Sequence, residues 1–172
     1  MPEPVMFQED MIRSIEDMIR SIYDRQCIID IVTRYATSLD RRQWEDLADC
    51  FTDEVSLYLV STGEWTTFTR QDIIAYASKT FSNYDATQHI SANHQVTISG
   101  DEAVCISTLN ATHYCADDPD GSTQQQFGYY RYELIRNPDW KIVRMRQELG
   151  WEQGNQNIFD RAHHSVSISS VS

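Results

Sequence analysis

No run of apolar residues in the chain approaches the roughly 18 that a membrane-spanning helix requires, so no membrane partner is expected. The opening Met1-Pro2-Glu3-Pro4 is acidic and lacks a basic segment, which argues against a secretory signal. Basic residues are scarce. Lys and Arg number 14 against 26 Asp and Glu, for a formal charge of −12, and Arg41-Arg42 is the one basic pair of note. A phosphate backbone would be repelled, so no nucleic-acid partner is expected. Cysteine is sparse as well. Cys27, Cys50, Cys105 and Cys115 form no C-x-x-C pair, which disfavours a zinc site. They read as reduced thiols packed as small apolar groups in a cytoplasmic protein. What is present is a 172-residue chain, 41% hydrophobic and 11% aromatic, enough for one globular domain with a sizeable core.

The N-terminal part repeats itself. Glu9-Asp10-Met11-Ile12-Arg13-Ser14-Ile15 is followed by the same seven letters from Glu16 to Ile22. Ile12, Ile15, Ile19 and Ile22 recur at three-four spacing with charges opposite, the pattern of an amphipathic helix. Two heptads are too few for a free-standing coiled coil, so the stripe is expected to pack on its own domain or on a sister subunit. The helical period continues through Ile28, Ile31, Val32, Tyr35 and Leu39, with a break expected near Asp24-Arg25. Beyond the corner Asp40-Arg41-Arg42, the residues Trp44, Leu47, Ala48 and Phe51 predict a second short helix. A strand is predicted over 55–60, a turn at Gly63, and a helix from Arg70 to about Phe81 capped by Thr69.

The period then changes to two. Strands are predicted over 88–99, 103–115, 127–135 and 140–151. Asp117-Asp118-Pro119-Asp120-Gly121 lacks calcium-loop spacing and reads as a solvated turn. A single domain is expected over 1–156, followed by a polar tail over 157–172 that holds His163-His164. Helices followed by hairpin-linked strands predict an α+β fold. The expected form is a cone-shaped α+β barrel, its curved mixed or antiparallel sheet wrapped around N-terminal helices. Such a cone encloses a small, mostly apolar cavity.

Three histidines, His89, His94 and His113, fall in predicted strands. Alternation puts His89 on the face of Ser91 and Asn93, His94 on the opposite face, and His113 with Leu109 and Ala111. Asp40 follows the apolar stripe, either as a helix-end residue or as a partly buried carboxylate. Tyr58, Tyr130 and Tyr132 lie on strands and are packing residues or cavity residues.

Ile28-Ile29-Asp30-Ile31-Val32-x-Arg34-Tyr35-Ala36, continuing to Leu39-Asp40-x-x-x-Trp44-x-x-Leu47-x-x-x-Phe51-x-x-Glu54, resembles a known opening. It is that of the SnoaL-like branch of the nuclear-transport-factor-2-like superfamily. Gln88-His89-x-x-x-Asn93-His94-x-Val96, Phe127-Gly128-x-Tyr130 and Trp140-Lys141-Ile142 resemble its later strands, so the likeness spans roughly 25–156. The resemblance implies the same cone. Within it, the nearest functional pattern is the His–Asp dyad of scytalone dehydratase, lindane dehydrochlorinase and bile-acid dehydratase.

Asp40 and His89 fall at the dyad positions, with Tyr35 and His113 as proton donors or polarisers. Tyr58, Asn93, Tyr130 and Tyr132 are the candidate substrate contacts. Histidine accepts protons near neutral pH, and a carboxylate fixes its tautomer and stabilises the imidazolium. The resemblance thus implies a lyase of the dehydratase type, or an isomerase, acting on a small hydrophobic cyclic substrate without cofactor or metal. It also implies a homo-oligomer joined through the outer sheet face, a trimer in preference to a dimer. The chain departs from the pattern at Leu39, where scytalone dehydratase has tyrosine, and at Leu149, nearest to the arginine of the bile-acid enzyme. The alternatives are a ligand-binding or dioxygenase β-subunit-like scaffold, or a polyketide cyclase.

Overall fold

The computed structural model describes residues 4–164. Helix α1 (Pro4–Arg41) runs unbroken through Asp24-Arg25, where a break is predicted. The two polar residues anchor the helix instead. The buried Asp24 carboxylate accepts from Arg136 Nη1 (2.8 and 2.9 Å) and from Trp140 Nε1 (2.9 Å). Arg25 donates to the Val96 carbonyl at 2.7 Å. Past this anchor, Ile28, Val32, Tyr35, Ala36 and Leu39 form the buried face that the 3.6-residue period predicts.

Helix α2 (Trp44–Ala48) is short, because Phe51 already belongs to strand β1 (Phe51–Leu59). A strand not anticipated, β2 (Glu64–Thr69), returns antiparallel to β1 after the turn at Gly63. Its alternating Trp65, Thr67 and Thr69 carry a β-rich pattern in a very short segment. Helix α3 (Arg70–Phe81) starts at Thr69 as predicted. The Thr69 hydroxyl accepts from the Asp72 N–H, and the Asp72 carboxylate accepts from the Thr69 N–H, a reciprocal cap. Four long strands follow: β3 (Ala86–Ser99), β4 (Glu102–Tyr114), β5 (Thr123–Arg136) and β6 (Trp140–Gly154).

The six strands form one curved sheet in the order β2-β1-β6-β5-β4-β3. Every pairing is antiparallel except β1 with β6, so the sheet is mixed. With β2 and β3 as free edges, it does not close into a barrel. The fold is α+β, its core lying between the C-terminal half of α1 and the inner face of the sheet. Along β4 and β5 burial alternates strictly, so Ala103, Cys105, Leu109, Ala111 and His113 share the inner face with Gln124, Gln126, Tyr130, Tyr132 and Leu134.

Residues 156–164 are not a loose tail. They form helix α4 (Gln156–His164), with Ile158, Phe159 and Ala162 buried. The aspartate-rich turn holds it. Asp118 pairs with Arg161 and accepts from Asn155 Nδ2 at 2.6 Å. The apolar residues of α4 are only three among polar ones, too few to lift it above tail composition in the sequence. Residues 165–172 of the predicted tail lie outside the described residues. Among the described residues, no helix is long and apolar enough to cross a membrane.

Gly128 is one of the glycines that the β5–β6 pairing requires. The register shifts at Phe127/Gly128, and a Cβ on Gly128 would lie 2.0 Å from the Glu148 carbonyl oxygen. Backbone cannot swing away as a side-chain tip can. Gly128→Ala is expected to cost about 3 kcal/mol and to lower the thermal midpoint by about 6–12 °C, read by thermal denaturation. A midpoint within 2 °C of wild type would contradict this reading of the contact.

Candidate active site

The site grows from cross-strand rungs on the inner face. His89 on β3 pairs with Ala111 on β4, which pairs with Gln126 on β5, which pairs with Glu152 on β6. The neighbouring rung runs Thr87, His113, Gln124. The end of α1 crosses above these rungs and brings Asp40 down on His89 and Thr87. A cavity of about 110 Å³ opens beside them. His89, His113, Tyr35, Tyr58, Gln126 and Tyr130 are among the residues that line it.

Asp40 acts as acceptor in every bond of its carboxylate. Oδ1 takes the His89 ring at Nδ1 (2.7 Å) and the Thr87 hydroxyl (3.0 Å), while Oδ2 takes the His89 backbone N–H (2.7 Å). Because the carboxylate accepts, His89 Nδ1 carries the proton and Nε2 is left with its lone pair. The His89 side chain is 5% exposed and that of Asp40 20%, so water competes little for this bond.

Two residues that the sequence reading passed over hold this arrangement. Thr87 accepts from Arg42 Nη1 at 2.9 Å and passes its own hydrogen to Asp40. Arg42 has φ +58, follows the last residue of α1, and also donates to the carbonyls of Leu39 (2.9 Å) and Tyr84 (3.4 Å). The pair Arg41-Arg42 reads in sequence as a corner; only the fold brings one arginine to the dyad. Thr87 had a signal, since it lies two residues before His89 on the same strand face.

His113 meets the cavity as expected, but its chemistry differs from that of a proton donor. Gln124 gives its amide nitrogen to Glu152 Oε1 (3.0 Å), which fixes its amide orientation and leaves Oε1 facing His113 Nδ1 at 2.8 Å. His113 Nδ1 therefore donates, and its Nε2 is an acceptor. Burial, then the nearby His89, pull its pKa down to about 3, so the ring is neutral. His113 can accept a hydrogen bond from a bound molecule at Nε2; its one proton is on Nδ1, committed to Gln124. Gln126, also tied to Glu152 (2.8 Å), and Gln147, bonded to Gln126 (2.9 Å), add amides to the wall.

Tyr35 and Tyr130 sit edge to face with centroids 6.0 Å apart. Burial raises both phenols above their ordinary pKa, so they keep their protons and are among the donors that line this cavity. Tyr58 lines the cavity too, packed on Trp65 at 5.5 Å. Tyr132 is fully buried behind Tyr35 rather than in the cavity wall, and its hydroxyl has Ser91 beside it but makes no well-formed hydrogen bond. It is core. Tyr132→Phe is expected to leave stability unchanged or raise it by up to about 1 kcal/mol, because it removes an unsatisfied polar atom; chemical denaturation measures it, and a clear loss would contradict the assignment.

Asn93 is not at the site. A bulge between Ala92 and Gln95, with Asn93 at φ +54, reverses the alternation. Asn93 turns outward and donates to Thr108 Oγ1 at 3.2 Å. His94, expected on the outer face, turns in to Ser91 Oγ at 3.2 Å. From the predicted tail, Phe159 and His163 reach the cavity, their rings stacked at 3.8 Å. Among the described residues, no three His, Cys, Asp or Glu side chains cluster as a metal ion would need.

The arrangement can do one kind of chemistry well. A carboxylate-backed imidazole lines this hollow together with protonated phenols and amides. That suits removal of a proton from carbon and stabilisation of the charge left behind.

Solved structures share this fold. The Kfla4162 protein from Kribbella flavida superposes with TM-score 0.74 at 26% identity, over 81% of this chain and 98% of that one. A provisionally assigned scytalone dehydratase from Novosphingobium aromaticivorans gives 0.68 at 18%, over 78% and 89%. Hexachlorocyclohexane dehydrochlorinase LinA-type3 from Novosphingobium barchaimii gives 0.69 at 15%, over 80% and 93%. No curated protein matches the chain at a significant level. The family model for the SnoaL-like domain matches residues 20–146, the stretch that runs from the anchored part of α1 to β6, and the chain belongs to that family.

Proposed function

We propose that this protein is a lyase that acts without an organic cofactor or metal, with His89 as general base and Asp40 as its orienting partner. Its substrate is a small hydrophobic ring. The observation that carries the reading is the 2.7 Å contact between Asp40 Oδ1 and His89 Nδ1 at the wall of a 110 Å³ cavity. That volume is of the order of the ~150 Å³ that takes up benzene in an engineered protein cavity, so one six-membered ring is the natural occupant.

In the proposed step, His89 Nε2 takes a proton from a ring carbon. The C–H electron pair becomes the new double bond, and the leaving group departs from the adjacent carbon with its own pair. Tyr35 or Tyr130 protonates a departing oxygen, so that water leaves, or holds a carbonyl as charge builds on it. Return of the same proton at another carbon would give isomerisation from the same dyad. Enzymes of dehydratase and dehydrochlorinase name among the structural neighbours support the elimination scaffold.

The test is turnover on a panel of cyclic β-hydroxy ketones and chlorinated cyclohexanes, in ordinary and deuterated water. Enone absorbance, chloride release and deuterium uptake are the readouts. Turnover that disappears in His89→Ala is expected. An undiminished rate in that variant, or tight binding of panel members with neither turnover nor deuterium uptake, overturns the reading in favour of a binding domain.

A further inference from the structure

Two amide side chains stand next to each other on the inner face of β5 with almost no exposure, Gln124 at 0% and Gln126 at 2%. Alternation puts both on that face and turns Gln125 away between them. A buried amide is costly unless its hydrogen bonds are made, so the sense of each bond is fixed by its neighbours. Here the sense has a common source. A carboxylate accepts and cannot donate, and Glu152 Oε1 accepts from the amide nitrogens of both Gln124 (3.0 Å) and Gln126 (2.8 Å). Gln124 Nε2 also reaches Gln156 Oε1 (3.3 Å) and the Gln125 carbonyl (3.5 Å), longer contacts in the same sense.

From Glu152 that sense passes along two chains. Gln124 Oε1 accepts from His113 Nδ1 (2.8 Å), so the one proton of the neutral ring is on Nδ1 and Nε2 is an acceptor. Gln126 Oε1 accepts from Gln147 Nε2 (2.9 Å), which orients the Gln147 amide and leaves it its oxygen and one N–H. Both chains end on residues of the cavity wall, His113 and Gln147, whereas Gln124 and Glu152 do not line the cavity. A carboxylate outside the chamber thus decides which atoms inside it accept.

We propose that Glu152 is a positioning residue that makes this part of the wall accept hydrogen bonds, and that the ring bound there carries a hydroxyl group which donates to His113 Nε2. The proposal rests on the cavity reading above and narrows its substrate class to hydroxylated rings over halogenated ones. A halogen has no hydrogen to give. It would leave the Nε2 of a ring that is 3% exposed without a partner, the costly outcome for a buried acceptor. A hydroxyl meets that need and can still accept from the protonated Tyr35 or Tyr130, which line the same cavity.

Phenol and cyclohexanone, single rings of similar size, are the probes: phenol donates, and cyclohexanone only accepts. Their binding to the full chain is measured by titration calorimetry, and the His113 tautomer by the imidazole nitrogen shifts of isotope-labelled protein. Wild type is expected to carry the His113 proton on Nδ1 and to bind phenol about 10- to 100-fold more tightly than cyclohexanone. Glu152→Lys, at an exposed position, offers both amides a donor in place of an acceptor. Both chains then turn round, so the His113 proton is expected on Nε2 and the phenol preference is expected to fall about tenfold. Glu152→Gln keeps one oxygen for the two amides and is expected to retain the wild-type tautomer and preference. A wild-type His113 protonated on Nε2, cyclohexanone bound as tightly as phenol, or binding of neither probe would each overturn the proposal with no variant having to fold. A folded Glu152→Lys protein with tautomer and preference unchanged would overturn it too. Phenol has no leaving group to lose, so these results stand apart from turnover: a panel without elimination removes the proposed reaction and leaves the accepting wall in place.

Discussion

His89→Ala is expected to lower kcat/KM by about 10²–10⁴-fold, the range for loss of a positioned general base. Asp40→Asn is expected to do equal or greater harm, of order 10⁴ in kcat, with little change in KM. The reason is tautomeric. An amide nitrogen placed against His89 Nδ1 would donate to it, so the ring proton would move to Nε2, where the lone pair is needed. The shape of the site would survive, because an Asn side chain still offers one oxygen to the His89 backbone N–H. Thermal midpoints near wild type, together with the lost turnover, separate this outcome from unfolding. Equal loss in kcat and kcat/KM would place the dyad's contribution in the transition state. A variant that kept full turnover would remove the dyad from the chemistry.

The second large effect concerns acid. The His113 pKa is about 3 in the folded chain, against about 6.5 for an unfolded one. Between those values the unfolded chain binds a proton that the folded chain refuses, so stability falls as pH drops through 6.5 and keeps falling toward 3. The full effect is on the order of 4–5 kcal/mol. Above pH 6.5 the group contributes no slope. Denaturant unfolding of wild type and His113→Gln at pH 7, 5.5 and 4 measures it. The variant is expected to lose much less stability across that interval, since glutamine can still face Gln124 and does not titrate. Parallel slopes in the two proteins would show that His113 is protonated without cost, and that the neutral acceptor described above is wrong.

How much was legible follows from what each residue depends on. The rungs of β4 and β5 were readable because alternation is a local property, and Ala111 with His113, or Tyr130 with Tyr132, obey it. The meeting of Asp40 with His89 was readable from spacing within a family pattern, although the two lie 49 residues apart. Asn93 failed because a single left-handed residue reverses alternation, and nothing in Ala92-Asn93-His94 announces a bulge. Arg42 and Gln124 failed for another reason. Their roles depend on Thr87, Glu152 and the order of strands, which local pattern does not encode. The break predicted at Asp24 and the loose tail predicted after Asn155 were errors of one kind: polar residues read as solvent-seeking were long-range anchors, to Arg136 and Trp140 in one case and to Asp118 in the other.

The clasp between Asp118 and Arg161 has a bearing on access. Arg161 is half-exposed and the Asp118 side chain nearly covered, and their contact tethers the helix whose Phe159 and His163 form part of the chamber wall. Whoever wishes to admit a bulkier guest need not carve the chamber itself. Loosening that outer buckle would reshape the α4 side of the chamber, while Asp40 and His89, held from α1 and β3, keep their own contact, so the two can be altered by separate substitutions.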